Sequence, residues 1–432
     1  MAVEEPCPKR RQWRRFASLG AVAALAIPVA AYAATGPATR ERDAAIKAGA
    51  ASGAATAAVG GLKRVRYRGY AFQVPRSWPV IDLARRGRTC VRFDRHAVYL
   101  GRPPRNPSCP SMLVGRTEAL LIQPGSRQAG WSSVENPVAD QITATAPLIR
   151  VTATFGAHLS QVDQILASAS LRTPVVDVPD PARAAAAPRP RLSAEVANYH
   201  GIGFDACAAP SPAYMSAWLR RSPFRAIGVY IGGSDRACAQ PELTPGWVRG
   251  EAAAGWHFIP MYVGPQAAFG QISAPARQGR AAANDAVMQA RRLGFGPRTP
   301  LYYDMEAYTP ARARAALAFL SAWTSRLHAL GYSSGIYGSS NAGVGYLAQQ
   351  YFRHTYAMPN VIFDALWNGH RNTRDAVFRK GEWANHDRVH QFAGNKLRSY
   401  GGDAINIDPD FLDVRLPARE AHRHSAPAGR RG

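Results

Sequence analysis

The sequence predicts an α/β protein: a TIM-like (β/α)8 barrel, irregular in its second half, preceded by a small α+β domain. Three observations carry this. The chain has 432 residues, enough for two or three domains at roughly 100–200 residues each. Between Glu195 and Arg415, short β-rich runs alternate with helical runs at intervals of roughly 25–30 residues, the signature of parallel strands with crossovers. Polar side chains recur at the ends of those runs, where a barrel carries its active face.

The elements follow in order. Lys9-Arg10-Arg11-Gln12-Trp13-Arg14-Arg15, the apolar run Ala17 to Ala31 and the small-x-small pattern Ala31-Tyr32-Ala33 read as an export signal over residues 1–33. The arginine doublets admit a twin-arginine as well as a general secretory route. Residues 34–64 are rich in Ala, Gly and Thr and read as a tether. Residues 65–172 read as the small α+β domain. Tyr67 to Val74 alternates with period two and stops at Pro75, as a strand does. Val91–Phe93, Ala97–Leu100, Glu118–Ile122 and Leu148–Thr154 are further strands, and His158–Ser168 is a closing helix. Residues 173–194 are dominated by Pro, Ala, Val and Asp and read as an extended linker between two independent cores. Residues 416–432 form a basic tail.

In residues 195–415 the predicted strands are Gly201–Asp205, Ala226–Ile231, His257–Tyr262, Pro300–Asp304, Ser334–Tyr337, Val361–Leu366, Arg388–Phe392 and Ala404–Asp408. Helices are expected over Pro212–Arg220, Thr244–Ala254, Ala276–Leu293 and Pro310–Leu330. The later crossovers are short. An open doubly wound sheet is the rival fold, but no Gly-rich phosphate loop follows the first strand.

Composition narrows the function classes. Hydrophobic residues make up 47% and charged residues 19%, which fits a globular chain. The formal charge is +24, and a GC-rich genome explains so much Arg as readily as attraction to an anionic surface does. Residues 195–415 hold 22 Arg and Lys against 16 Asp and Glu, so most of the excess lies elsewhere. That distribution suits an anionic envelope surface better than a nucleic-acid groove, and no nucleic-acid motif is present. Removal of the signal takes Cys7 and leaves Cys90, Cys109, Cys207 and Cys238. An even number in an exported chain reads as disulfides. Of the three pairings, Cys90–Cys109 and Cys207–Cys238 keep each bridge inside one predicted domain. Zinc, nucleotide and metalloprotease motifs are absent, and no cofactor or metal is expected.

The strand ends bring together Asp205, Asp304, Glu306, Gln391 and Asp408. Asp304 and Glu306 are the strongest local signal, since residues i and i+2 of a strand share a face roughly 6–7 Å apart. Crowded carboxylates raise one pKa and leave a protonated acid beside an ionised partner. That equipment can protonate a glycosidic oxygen. Glu306 is expected to be the most upward-shifted carboxylate of the face. Tyr262, Tyr303, Tyr308, Tyr337 and Trp367 lie at strand ends and offer rings for sugar stacking. Metal binding by the four carboxylates is a weaker reading, because no His stands at ligand spacing.

Gly203-Phe204-Asp205, Tyr303-Asp304-Met305-Glu306, Ile336-Tyr337-Gly338, Leu366-Trp367, His390-Gln391-Phe392 and Ile407-Asp408-Pro409-Asp410 occur in an order that resembles family 25 glycoside hydrolases, the barrel-shaped lysozymes. More closely, this half of the chain is similar to the glycoside-hydrolase-like domain of secreted actinobacterial proteins. The resemblance implies a barrel acting on peptidoglycan or a related cell-wall polysaccharide, secreted or wall-associated and monomeric. It implies Glu306 as general acid, Asp304 assisting at the anomeric centre or orienting an acetamido group, and Asp205 and Asp408 completing the cluster. Tyr230-Ile231-Gly232-Gly233-Ser234, Pro260-Met261-Tyr262-Val263 and His390 depart from the lysozyme pattern. A non-catalytic glycan-binding or envelope-remodelling protein is the alternative, and an adhesive envelope protein a third.

Overall fold

The computed structural model describes residues 61–178, 180–182 and 192–416. The expected export signal, most of the tether and the basic tail lie outside the described residues, as does the centre of the linker. The described residues fall in one compact unit. Among them, no helix is long and apolar enough to cross a membrane.

The N-terminal part begins with a hairpin of β1 (Leu62–Tyr67) and β2 (Tyr70–Pro75). The sequence reading ran one strand from Tyr67 to Val74. Arg68 and Gly69 both adopt positive φ and turn the chain there, so two strands replace one and the first starts inside the expected tether. Beside it lies a seven-stranded sheet. Its strands are β3 (Val80–Asp82), β4 (Val98–Leu100), β5 (Ala119–Pro124), β6 (Ser132–Asn136), β7 (Gln141–Ala146), β8 (Ile149–Thr154) and β9 (Val175–Val176). Their order is β3-β4-β5-β8-β7-β6-β9. Val91–Phe93 makes an isolated bridge rather than a named strand. β6 and β7 were not foreseen, although β7 buries every second residue. Val175 and Val176, assigned to the linker by composition, pair with β6 as an edge strand. The helix α1 (Leu159–Ser168) buries Val162, Ile165 and Leu166 against this sheet.

The second part is a closed barrel of eight strands. It opens with β10 (Tyr199–Asp205), followed by α2 (Pro212–Arg221). Then come β11 (Ala226–Gly232), α3 (Pro245–Ala254), β12 (His257–Tyr262), α4 (Pro275–Leu293) and β13 (Pro300–Asp304). The chain continues through α5 (Ala313–Ala329), β14 (Ser333–Ser339), α6 (Gly343–Gln350) and β15 (Val361–Ala365) to β16 (Asp387–Gln391), β17 (Lys396–Tyr400) and β18 (Asp403–Val414). The helix starts are written locally. Ser211 and Thr244 accept hydrogen bonds from Tyr214 and Trp247 backbone N–H groups, and Pro212 and Pro245 occupy the first turn. α3 and α4 stop at Gly255 and Gly294, both left-handed.

Seven barrel strands run parallel, but β18 is antiparallel to both neighbours, β10 and β16. The expectation of eight equivalent βα units therefore fails at the last strand. A parallel strand needs a crossover of about a dozen or more residues to return to the bottom of the barrel. After Gln391 the chain instead makes the β17–β18 hairpin and runs straight back down. No helix covers the path from β15 to β18.

Alternation along the strands sorts side chains into two layers. Phe204, Ile227, Phe258, Tyr303, Ile336 and Ile362 point outward into the core shared with the helices. Ala226, Ile259, Met261, Tyr302, Phe363, Val389 and Leu412 fill the barrel interior. Both expected disulfides are formed, Cys90–Cys109 and Cys207–Cys238.

Candidate active site

The top layer of the barrel interior is polar where the layers below are apolar. Asp205 ends β10, Asp304 ends β13, and Gln391 ends β16. Asp408 and Asp410 lie on β18, paired with Asp205 and Gly203 across the barrel seam. The sequence reading placed Asp408 at the C-terminal end of a parallel strand. It reaches the same face because an antiparallel strand enters the barrel there. Asp410, quoted in the motif but not proposed for the site, follows two residues later and therefore shares the inward face. That period-two spacing was available in the sequence.

Two glycines let the strands close around this layer. A Cβ on Gly228 would stand 2.5 Å from the Asp205 Cβ, and one on Gly335 would stand 2.3 Å from the Tyr302 ring.

One hydrogen-bond chain organises the β10–β16 side. Tyr230 Oη donates to Asp205 Oδ1 at 3.0 Å, and Gln391 Nε2 donates to Asp205 Oδ2 at 2.9 Å. Gln391 Oε1 accepts from Trp367 Nε1 at 2.9 Å and from Tyr337 Oη at 3.2 Å. Asp408 accepts from the Asn395 backbone N–H, and Ser111 lies beside it.

On the β13 side, the Asp304 and Glu306 carboxyls lie close enough to perturb each other's ionisation. Neither oxygen of Asp304 has a hydrogen-bond partner, and Glu306 Oε1 has none either. Gln266 supports the turn between them: its Nε2 donates to the Asp304 carbonyl at 2.8 Å, and its Oε1 accepts from the Glu306 N–H at 2.9 Å.

Asp205, Asp304 and Asp410 are fully buried, and Asp408 is 1% exposed. Burial pushes Asp304 well above the usual carboxylate range, and the charges of Glu306 and Asp205 add to it. Burial followed by the Asp408 charge does the same to Asp205, and Asp410 is raised alike. Glu306 is raised to about 7, chiefly by burial; the Asp304 carboxyl beside it works downward and Asp408 upward. The expectation that Glu306 shifts furthest is thus corrected. Glu306 lies beyond the strand end, half-buried, whereas Asp304 sits inside the barrel.

The aromatic residues divide. Tyr337 faces the interior and Trp367 stands on the rim, 59% exposed. Tyr262 and Tyr303 do not line the pocket: their neighbours Met261, Tyr302 and Asp304 face inward, so alternation sends them outward. Tyr262 Oη donates to Asp285 at 2.9 Å, and both rings pack on Trp323. Tyr308 stacks on Tyr346 outside the barrel. His390 also faces outward, between the carbonyls of Asn372 and Leu366. Among the described residues the only cluster with metal-ligand spacing is Cys90, Cys109 and Cys238, whose sulfurs are all in disulfides.

No curated protein sequence matches this chain. Among solved structures, an uncharacterized B. stearothermophilus protein matches at 20% identity, covering 49% of this chain and 95% of that one with a TM-score of 0.36. The modular autolysin LytC from Streptococcus pneumoniae matches at 9% identity over 65% of this chain and 57% of that one, TM-score 0.35. The catalytic domain of endolysin ply40 from bacteriophage P40 of Listeria monocytogenes matches at 11% identity over 50% and 93%, TM-score 0.30. Residues 216–412, most of the barrel but not β10, match the family model described as the Rv2525c-like, glycoside hydrolase-like domain.

Proposed function

We propose that this protein is an exported glycoside hydrolase acting on peptidoglycan or a related cell-wall polysaccharide, with Glu306 as its general acid. The observation that carries the reading is the Asp304–Glu306 carboxyl pair in an acidic barrel mouth, with the Glu306 pKa near 7. A general acid works best when its pKa lies near the operating pH. Glu306 gives its proton to the glycosidic oxygen as the C–O bond breaks, and the bond electrons leave with that oxygen. Asp304 is fully buried and held well above the usual carboxylate range, which makes it a weak nucleophile. It therefore serves better to hold the proton and orient an acetamido group than as an independent nucleophile. A substrate-assisted route, in which the sugar's own acetamido oxygen meets the anomeric carbon, fits that arrangement. Export is supported by the two disulfides, which persist in oxidising compartments.

A glycan-binding protein without turnover is the second reading, favoured by the near-complete burial of Asp205, Asp304 and Asp408. Release of sugar from labelled wall polymer separates the two. Glu306→Gln is expected to lower hydrolysis about 10²–10⁴-fold while leaving glycan binding intact. Hydrolysis equal to wild type would remove Glu306 from the acid role. Binding without hydrolysis by the wild type would leave the second reading standing.

A further inference from the structure

The acidic mouth is covered on one side by the N-terminal sheet's own chain. The segment from Asn106 to Arg116 contains Cys109 and lies on the loops that follow β10 and β11. It is fastened there by backbone. Val114 bridges Arg236, Arg92 bridges Cys238, and the Gly115 N–H donates to the Asp235 carbonyl at 2.9 Å. Asn106 Oδ1 accepts from the Ser211 N–H at 2.9 Å, and the Cys90 and Cys238 sulfurs touch at 3.8 Å. The side chains then go inward. Ser111 is 4% exposed and lies beside Asp408. Met112 and Val114 pack on the residues that line the barrel, and Tyr337 Oη meets Met112 Sδ at 3.9 Å. On the opposite rim Glu306 is half-buried and Trp367 is open to solvent.

We infer that this segment is a built-in stop: it closes the mouth on the side of β10, β11 and β18, so that the site takes the terminus of a wall glycan rather than a stretch from its middle. A sugar chain passing through the site would need the space that Ser111 and Met112 occupy. A chain end needs only the side bounded by Glu306 and Trp367. The chain-end specificity rests on the hydrolase reading above; the stop itself does not.

Two measurements on the mature protein separate these. In the first, peptidoglycan glycan strands are digested and sized over time. Short products from the earliest samples, with long strands persisting, are expected; early fragments of intermediate length would overturn chain-end specificity. Met112→Gly should shift the pattern toward internal cleavage, with Met112→Ala as the milder variant if the first lowers the melting temperature. The second needs no glycan. A water-soluble carbodiimide with glycine ethyl ester labels accessible carboxyls, read by peptide mapping. Wild type should label Glu306 and spare Asp408, and Met112→Gly should label Asp408 at least ~10-fold faster, as removal of a steric block does. Equal labelling of Asp408 in both proteins would overturn the stop. If no glycan is bound or cut while labelling follows the expected pattern, the hydrolase reading and the chain-end specificity fall and the stop remains.

Discussion

Gln391 does at the residue scale what no carboxylate in the site can do. It is the one amide that both donates to Asp205 and accepts from Tyr337 and Trp367, so it ties a buried acid to the exposed rim. Gln391→Ala would leave Asp205 with only Tyr230 as donor and the Tyr337 hydroxyl with only the weakly accepting Met112 sulfur. An unsatisfied buried polar group costs about 1–3 kcal/mol, and that loss is the expected destabilisation in denaturant titration. Turnover should fall further than stability alone explains, since Trp367 loses its anchor. Unchanged kcat/KM would show that the chain of bonds is structural only. The acid pair was legible at this scale, because Asp304 and Glu306 are neighbours in sequence. Tyr262 and Tyr303 face outward; for Tyr303 the alternation with Asp304 on one strand implies it, whereas for Tyr262 it follows only from the register of β12 against β13. Ser111 carried no sequence signal, since it reaches Asp408 only through the fold.

At the scale of elements, the site depends on how closely strands pack at the mouth. β10 and β11 stand side by side at Asp205 and Gly228. Gly228→Ala would put a methyl group 2.5 Å from the Asp205 Cβ, a contact that forces either strand to shift. Overpacking of this kind costs typically about 1–3 kcal/mol. The expected outcome is a lower melting temperature together with a weakened Tyr230–Asp205 bond, seen as a perturbed tyrosine signal. A variant as stable and active as wild type would mean that the strands separate freely there. All eight barrel strands were legible from their β-rich runs, and four helices from the helical runs between the early ones. The direction of β18 was not, because a run of alternating residues reads the same in either orientation. The length of the return path decides it.

For the whole molecule, buried acids set the pH dependence. Burial raises Glu306 and Glu251 to about 7 and Asp364 to about 8. Asp140 is raised to about 7 and Asp235 to about 6 by the same cause. Each binds its proton more tightly folded than unfolded. Their contribution is therefore full below the unfolded carboxylate range and is lost as pH rises through about 6–8. Glu118 opposes this. Burial works upward on it, but donors from His158, Thr117 and Gly156 outweigh burial and hold it at about 2. Its contribution is lost as pH falls from about 4 toward 2. Thermal midpoints should thus rise on acidification from pH 8 to about 5 and fall again below about 4. A midpoint that climbs steadily from pH 5 to pH 8 would contradict the burial of these acids.

The sequence by itself determined the barrel, its acidic mouth, both disulfides and the family resemblance. Strand periodicity, cysteine parity and short motifs are local or combinatorial properties that survive without coordinates. Tertiary structure alone decided which strand runs backward, which tyrosines face the helices, and that Ser111 and Met112 of the N-terminal part stand over the acids. Those facts depend on closure of the barrel and on contacts between distant segments. Alternation tells which residues share a face, but only packing tells what that face meets.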